Sequence, residues 1–75
     1  MELENELYYG AMSKTELAAL YAPDLKPYIA RRRLNKWIGK NEELLRELKT
    51  RGYTERLTML TTAHVQLIIR YLGEP

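Results

Sequence analysis

The lack of cysteine is the feature that most restricts how this chain can fold. Its 75 residues contain none, so neither a disulfide bond nor a thiolate metal site can stabilise it. A domain of this size is near the lower limit at which one apolar core is sufficient. We therefore expect amphipathic elements around a single core, in a protein of the reducing cytoplasm.

The first twelve residues differ in charge and spacing from the rest of the chain. They carry three glutamates, no basic residue and little apolar periodicity. We predict a loose N-terminal arm over residues 1–12, in which Tyr8 and Tyr9 could dock onto a folded domain over residues 13–75. The arm lacks the basic start and apolar stretch of a secretory signal. No later uncharged run is long enough to cross a bilayer, so no membrane partner is expected.

Capping and breaking residues predict a short first helix. Ser13-Lys14-Thr15-Glu16 has the form of a capping box, in which the serine and glutamate side chains satisfy backbone amides. Leu17, Leu20 and Tyr21 follow at helical spacing. Pro23 ends the helix because proline disfavours helical geometry at the residue before it and has no amide hydrogen.

A second helix is predicted over about residues 27–39. Pro27 suits its first position, and Leu34, Trp37 and Ile38 fall on one face. Their common face predicts that all three are buried in the core. For Trp37 we expect core packing rather than base stacking or contact with a partner.

Two more helices complete the predicted fold. Asn41 and Thr61 are suitable N-caps, and Gly52 and Gly73 are suitable C-terminal stops. The predicted buried residues of these two helices are Leu44, Leu45, Leu48, Val65, Ile68, Ile69 and Leu72. Between them, residues 53–60 alternate loosely, which predicts an extended loop or a minimal hairpin. The expected class is mainly α: a compact four-helix, helix-turn-helix-like domain with a short wing-like extended segment before the last helix.

Positive charge is concentrated in the middle of the chain. Residues 13–41 contain seven basic and two acidic residues, a net +5, whereas the whole chain is only +2. On the second helix, Arg32, Lys36 and Lys40 lie opposite the apolar face, with Arg33 at the edge. Such a face can contact phosphates and guanine edges, although it can also be a solvated surface. The candidate DNA-binding residues are Lys26, Arg31, Arg32, Arg33, Lys36, Lys40 and Arg56.

No residue set suggests catalysis, a cofactor or a metal. His64 has no partner at ligand spacing, and we expect it at the surface or at the boundary of the core. Glu42, Glu43 and Glu47 suit helix-dipole and salt-bridge roles better than acid–base chemistry. We therefore expect a binding protein rather than an enzyme.

Two resemblances add to this interpretation. Glu16-Leu17-Ala18 with Tyr21, a turn, and a basic helix ending Leu34-x-x-Trp37-Ile38 resembles the helix-turn-helix of small excisionases and MerR-type regulators. Arg56-x-x-x-Leu60-Thr61 is similar to their wing. Residues 9–75 also resemble a family of short bacterial proteins of unknown function, common in gut anaerobes. The shared motifs are Glu16 to Asp24, Ala30 to Ile38, Asn41 to Leu44, Gly52-Tyr53, Leu60-Thr61 and Tyr71 to Pro75.

Two hypotheses follow. In the first, the chain is a small DNA-binding protein, a transcriptional regulator or an accessory factor of a mobile element, and its second helix enters the major groove. A domain this small would need a homodimer or another protein for sequence-specific binding. In the second, it is an adaptor that contacts another protein through its acidic arm and last helix and binds no nucleic acid.

Overall fold

A computed structural model describes residues 9–75 of the chain. Over these residues it has four helices and one pair of short strands. In chain order the elements are β1 (Met12–Ser13), α1 (Lys14–Tyr21), α2 (Pro27–Lys40), α3 (Glu42–Lys49), β2 (Met59–Leu60) and α4 (Thr62–Leu72). The predicted mainly helical class, with an extended segment before the last helix, is confirmed.

Local side-chain caps account for where the helices begin. The Ser13 hydroxyl accepts a hydrogen bond from the Glu16 amide at 3.0 Å, and the Glu16 carboxylate accepts one from the Ser13 amide at 2.9 Å. Asn41 and Thr61 each accept from the amide three residues further on. Pro27 occupies the start of α2, where its missing amide hydrogen costs nothing. The predicted caps and the predicted proline position are confirmed.

The two strands pair with each other although they are far apart in the sequence, at residues 12–13 and 59–60. The pairing is antiparallel, with Met12 opposite Leu60 and Ser13 opposite Met59. The Lys14 amide extends it with a hydrogen bond to the Thr58 carbonyl at 2.7 Å. The extended segment before α4 therefore pairs with the start of the domain rather than with its own neighbours. This pairing brings the beginnings of α1 and α4 together.

One apolar core joins all four helices. Each helix contributes at least two side chains, and the loop before β2 adds Tyr53. The buried apolar residues are Leu17, Ala18, Ala30, Leu34, Ile38, Leu44, Leu48, Tyr53, Leu60, Val65, Leu67 and Ile68. Tyr9 and Met12, from the predicted arm, pack against this core, while residues 1–8 of that arm, with Tyr8, lie outside the described residues.

The prediction that Trp37 belongs to the core is wrong. Its side chain is 36% exposed, whereas Ala30, Leu34 and Ile38 are almost completely buried. These three recur every four residues and form the buried stripe of α2, and Trp37 lies to one side of that stripe. The indole instead lies edge-on to the Tyr21 ring, with the ring centroids 6.0 Å apart. Tyr21 thus covers only one side of it.

Two further positions differ from the prediction. His64, expected at the surface or boundary, is only 2% exposed. Its Nδ1 accepts a hydrogen bond from the Thr61 amide, so its Nε2–H donates to the Arg51 carbonyl at 2.8 Å. Leu20, predicted on the apolar face of α1, is 45% exposed, because α1 buries Leu17 and Ala18 instead.

Candidate functional site

The outer face of α2 concentrates positive charge on one surface. The helix contains five basic residues and no acidic one. Arg32, Arg33, Lys36 and Lys40 are exposed, and Arg31 is half-buried at the border of the core. Lys26, the N-cap of the helix, is exposed as well. We call these six side chains the basic face.

Ion pairing does not neutralise the basic face within residues 9–75. The ion pair found there joins Arg51 to Glu47 at 3.1 Å, on α3 and the turn after it. Glu42 and Glu43, which directly follow α2, are exposed and form no ion pair with it. Among the described residues, the positive charge of α2 therefore has no paired carboxylate.

The basic face extends along the whole helix. Lys26 and Lys40 are fourteen residues apart, or about 21 Å at 1.5 Å per residue. Arg32, Arg33 and Lys36 lie in the middle of that length. Beside them, Tyr28, Arg31, Arg32 and Asn35 line a shallow depression. Tyr28 is 65% exposed, so an aromatic ring stands within the charged surface.

Lys14 connects this helix to the rest of the fold, a role that the sequence interpretation missed. Its side chain is completely buried. The ammonium donates three hydrogen bonds, each 2.9 Å long, to the Asn35 side-chain oxygen, the Tyr53 hydroxyl and the Glu55 carbonyl. It also lies 4.7 Å from the centroid of the Tyr53 ring, within cation–π distance. Every donor of the ammonium therefore has an acceptor.

A spacing signal for Lys14 was present in the sequence. It precedes Leu17 by three residues and Ala18 by four, which places it on the buried face of α1. A lysine on such a face is usually exposed at its tip, because a buried ammonium needs partners. Those partners lie far along the chain, so only the folded structure reveals them.

The buried position of Lys14 lowers its pKa. Desolvation, with the positive charge of Arg31 adding to it, lowers its pKa from 10.5 to about 8, although the negative charge of Glu55 opposes the change. The group thus remains mostly protonated at neutral pH. Burial also raises the pKa of Tyr53 to about 12. The pair at neutral pH is therefore an ammonium donating to a neutral phenol.

Arg56, the remaining predicted DNA-binding residue, is exposed in the loop before β2. Glu55 directly precedes Arg56, and the Lys14 ammonium donates both to the Glu55 carbonyl and to the side chain of Asn35 on α2. Asn35 also lines the depression that contains Arg31 and Arg32. The loop that carries Arg56 is therefore held near this part of the basic face.

Other kinds of site have little support in the described part of the chain. Residues 9–75 contain no group of three or more metal-binding side chains. No described helix is both long enough and apolar enough to cross a membrane. His64 is buried and both its ring nitrogens are hydrogen-bonded within the fold.

A comparison with protein families gives one match. The model of a family described as a domain of unknown function (DUF4248) matches residues 8–75. No curated protein and no solved structure matches the chain.

Proposed function

The chain belongs to the DUF4248 family, and from its basic face we propose that this member binds duplex DNA through α2. The proposal depends on one observation: α2 presents exposed cations along its full length, with no carboxylate of residues 9–75 paired to them. We further propose a cytoplasmic regulator or mobile-element accessory factor, in keeping with a chain that has no cysteine.

The dimensions of α2 support insertion into the major groove. The groove is about 12 Å wide, and the helix from Lys26 to Lys40 is about 21 Å long. A helix across the groove would place Arg32, Arg33 and Lys36 near base edges. Its two ends, with Lys26 and Lys40, would reach the phosphates on either side.

The order of elements also supports the proposal. A short helix, a turn and a basic helix resemble the helix-turn-helix of excisionases and MerR-type regulators, and α1 packs directly against α2. In such proteins the first helix supports the second, which enters the groove. The segment with Arg56 before α4 would take the place of a wing. A homodimer would supply the second half of a binding site, since one domain covers a small footprint.

Salt dependence of binding tests the proposal. Fluorescence anisotropy with a labelled duplex should show micromolar or tighter binding at low salt. The logarithm of the association constant should fall linearly with the logarithm of salt concentration, by about 0.9 per phosphate contacted. The double variant Arg32→Ala, Lys36→Ala should reduce this slope by about two units if both residues contact phosphates.

A matched variant separates local contacts from net charge. Arg46→Ala with Arg70→Ala removes the same charge from exposed positions on α3 and α4. It should leave the slope nearly unchanged. Both double variants should keep the free energy of unfolding within about 0.5 kcal/mol per site, as expected for surface changes. Equal losses of affinity in both variants would indicate binding without an orienting contribution from α2.

The alternative function is a protein-interaction adaptor. The exposed rings of Tyr28 and Trp37 favour it, because aromatic side chains often dominate protein interfaces. α4, which the sequence interpretation assigned to this role, exposes Ala63, Gln66 and Arg70 and no large apolar side chain. An adaptor would bind no duplex at low salt, and the double variant on α2 would not affect its partner.

A further inference from the structure

We propose that the cleft between α2, α3 and the loop before β2 binds a small carboxylic acid with an aromatic or branched apolar body. Asn35, Ile38 and Gly39 of α2 line one wall, Leu45 and Lys49 of α3 the other, and residues 53–55 the third side. The cleft has a volume of about 570 Å³, within the usual range for small-molecule sites of about 300–1,000 Å³. This site is independent of DNA binding by the basic face.

The buried ammonium of Lys14 determines which polar groups remain for a ligand. It donates to the Asn35 side-chain oxygen and to the Tyr53 oxygen. Because an ammonium only donates, the Asn35 amide nitrogen and the Tyr53 O–H keep their hydrogens free for other acceptors. Neither finds an acceptor within residues 9–75, although Tyr53 is 96% buried. A buried donor without a partner is costly, so the Tyr53 hydroxyl favours a ligand that accepts, and the half-buried Asn35 amide offers a second donor beside it.

Gly39 is a second, independent sign of a binding site. It lies inside α2, where glycine is less favourable than alanine. Its φ is not positive, and a Cβ added there would meet nothing within 4 Å. Neither the backbone nor packing therefore requires glycine at this position. Its effect is to leave the wall of the cleft open.

The charges and apolar surfaces define the class of ligand. Lys49 at the rim offers an exposed ammonium, and the Lys14 ammonium lies directly behind Asn35 and Tyr53. Glu55 contributes one carboxylate to the lining, so the positive charges outnumber it. Ile38 and Leu45 give the cleft an apolar surface. A carboxylate on an apolar body matches both parts, since its oxygens accept while the body covers these side chains.

Benzoate and benzyl alcohol are suitable probes, because they share a ring and differ in charge. We expect titration of the isotope-labelled protein with benzoate, followed by amide NMR shifts, to saturate in the millimolar range. The shifts should be largest at Gly39, Thr54 and Glu55. Benzyl alcohol should bind about tenfold more weakly or worse, as expected when a charge-assisted hydrogen bond is lost.

Two variants test the assignment. Gly39→Leu should fill the cleft and abolish saturable benzoate binding, whereas Ala63→Leu adds the same side chain at an exposed position on α4 and should have no effect. Lys49→Met should weaken benzoate about tenfold and leave benzyl alcohol unchanged. Shifts that do not saturate, or that survive Gly39→Leu in the folded protein, would overturn the site. Equal affinities for the two probes would overturn the carboxylate.

Discussion

Lys14 links three segments of the fold through one side chain. Its ammonium joins α1 to Asn35 of α2 and to Tyr53 and Glu55 of the loop before β2. A buried charge of this kind adds little net stability, but removing one partner leaves the others unsatisfied. Its three acceptors therefore specify how α1, α2 and the loop fit together. They also hold one wall of the proposed cleft in place.

Lys14 should give the free energy of unfolding a characteristic pH dependence. Its pKa is about 8 in the folded protein and 10.5 ordinarily. Between these values the unfolded chain binds more protons, so the free energy of unfolding should rise with pH. Burial raises the pKa of Tyr21 and Tyr53 from 10.0 to about 12. Above pH 10 the unfolded chain loses these protons first, and the free energy of unfolding should fall. Urea denaturation across alkaline pH measures both changes.

The variant Lys14→Met identifies the source of the rise. Methionine has a similar length and does not titrate, so the rise below pH 10 should disappear while the fall above it remains. The variant should also lose about 1–3 kcal/mol of stability at neutral pH, because buried acceptors lose their donor. A rise that persists in Lys14→Met would assign it to other groups.

At the scale of elements, α2 presents three different surfaces. Ala30, Leu34 and Ile38 face the core, the basic face points to solvent, and Asn35 with Gly39 faces the cleft. Trp37 lies between the core and the solvent, on the opposite side from Asn35. A single helix therefore contributes to the core, to the proposed DNA contact and to the proposed ligand site.

Gly39 within α2 and Gly52 after α3 should respond in opposite ways to substitution by alanine. Gly39 has a φ that is not positive and open space around its Cα, so Gly39→Ala should raise the free energy of unfolding by about 0.5–1 kcal/mol. Gly52 has a φ of +84° after α3. An alanine at this φ is strained, so Gly52→Ala should lower the free energy of unfolding by about 1 kcal/mol. Urea denaturation of the two variants measures both, and a loss of stability in Gly39→Ala would show that the glycine serves the fold.

At the scale of the whole molecule, contacts between distant segments hold the two ends together. β1 pairs with β2, and the Tyr21 hydroxyl donates to the Gly73 carbonyl beyond α4. Gln66 of α4 donates to the Tyr9 carbonyl at 3.1 Å. The first and last elements therefore pack on the same core. Detaching either end of the described chain would expose the side chains of that core.

Because the first and last elements pack on the same core, we expect the domain to unfold cooperatively. Trp37 is the only tryptophan in the chain and contacts Tyr21, so its fluorescence reports on the packing of α1 against α2. Far-ultraviolet circular dichroism reports on all four helices. The two signals should change at the same urea concentration, as in a two-state transition. Helical signal that remains after the fluorescence change would show that α3 and α4 are stable alone.

Local chemistry made much of the secondary structure predictable. Ser13, Asn41 and Thr61 begin helices through hydrogen bonds to amides three residues away, and Pro27 has a preferred place that needs no distant partner. The exposure of Arg32, Lys36 and Lys40 followed from the same helical spacing. The sequence by itself therefore determined where the helices begin and which side of α2 carries the charge.

Only the tertiary structure determined which residues are buried or paired by contact between segments that are distant in the sequence. Lys14 and His64 are polar, but Lys14 is buried with partners far along the chain, and His64 with the Arg51 carbonyl beside its local bond to Thr61. Trp37 is apolar, but the direction of packing leaves it partly exposed. The partner of β2 and the walls of the cleft also come from segments that are separated in sequence. Helical spacing describes one element at a time, whereas burial depends on which other elements pack against it.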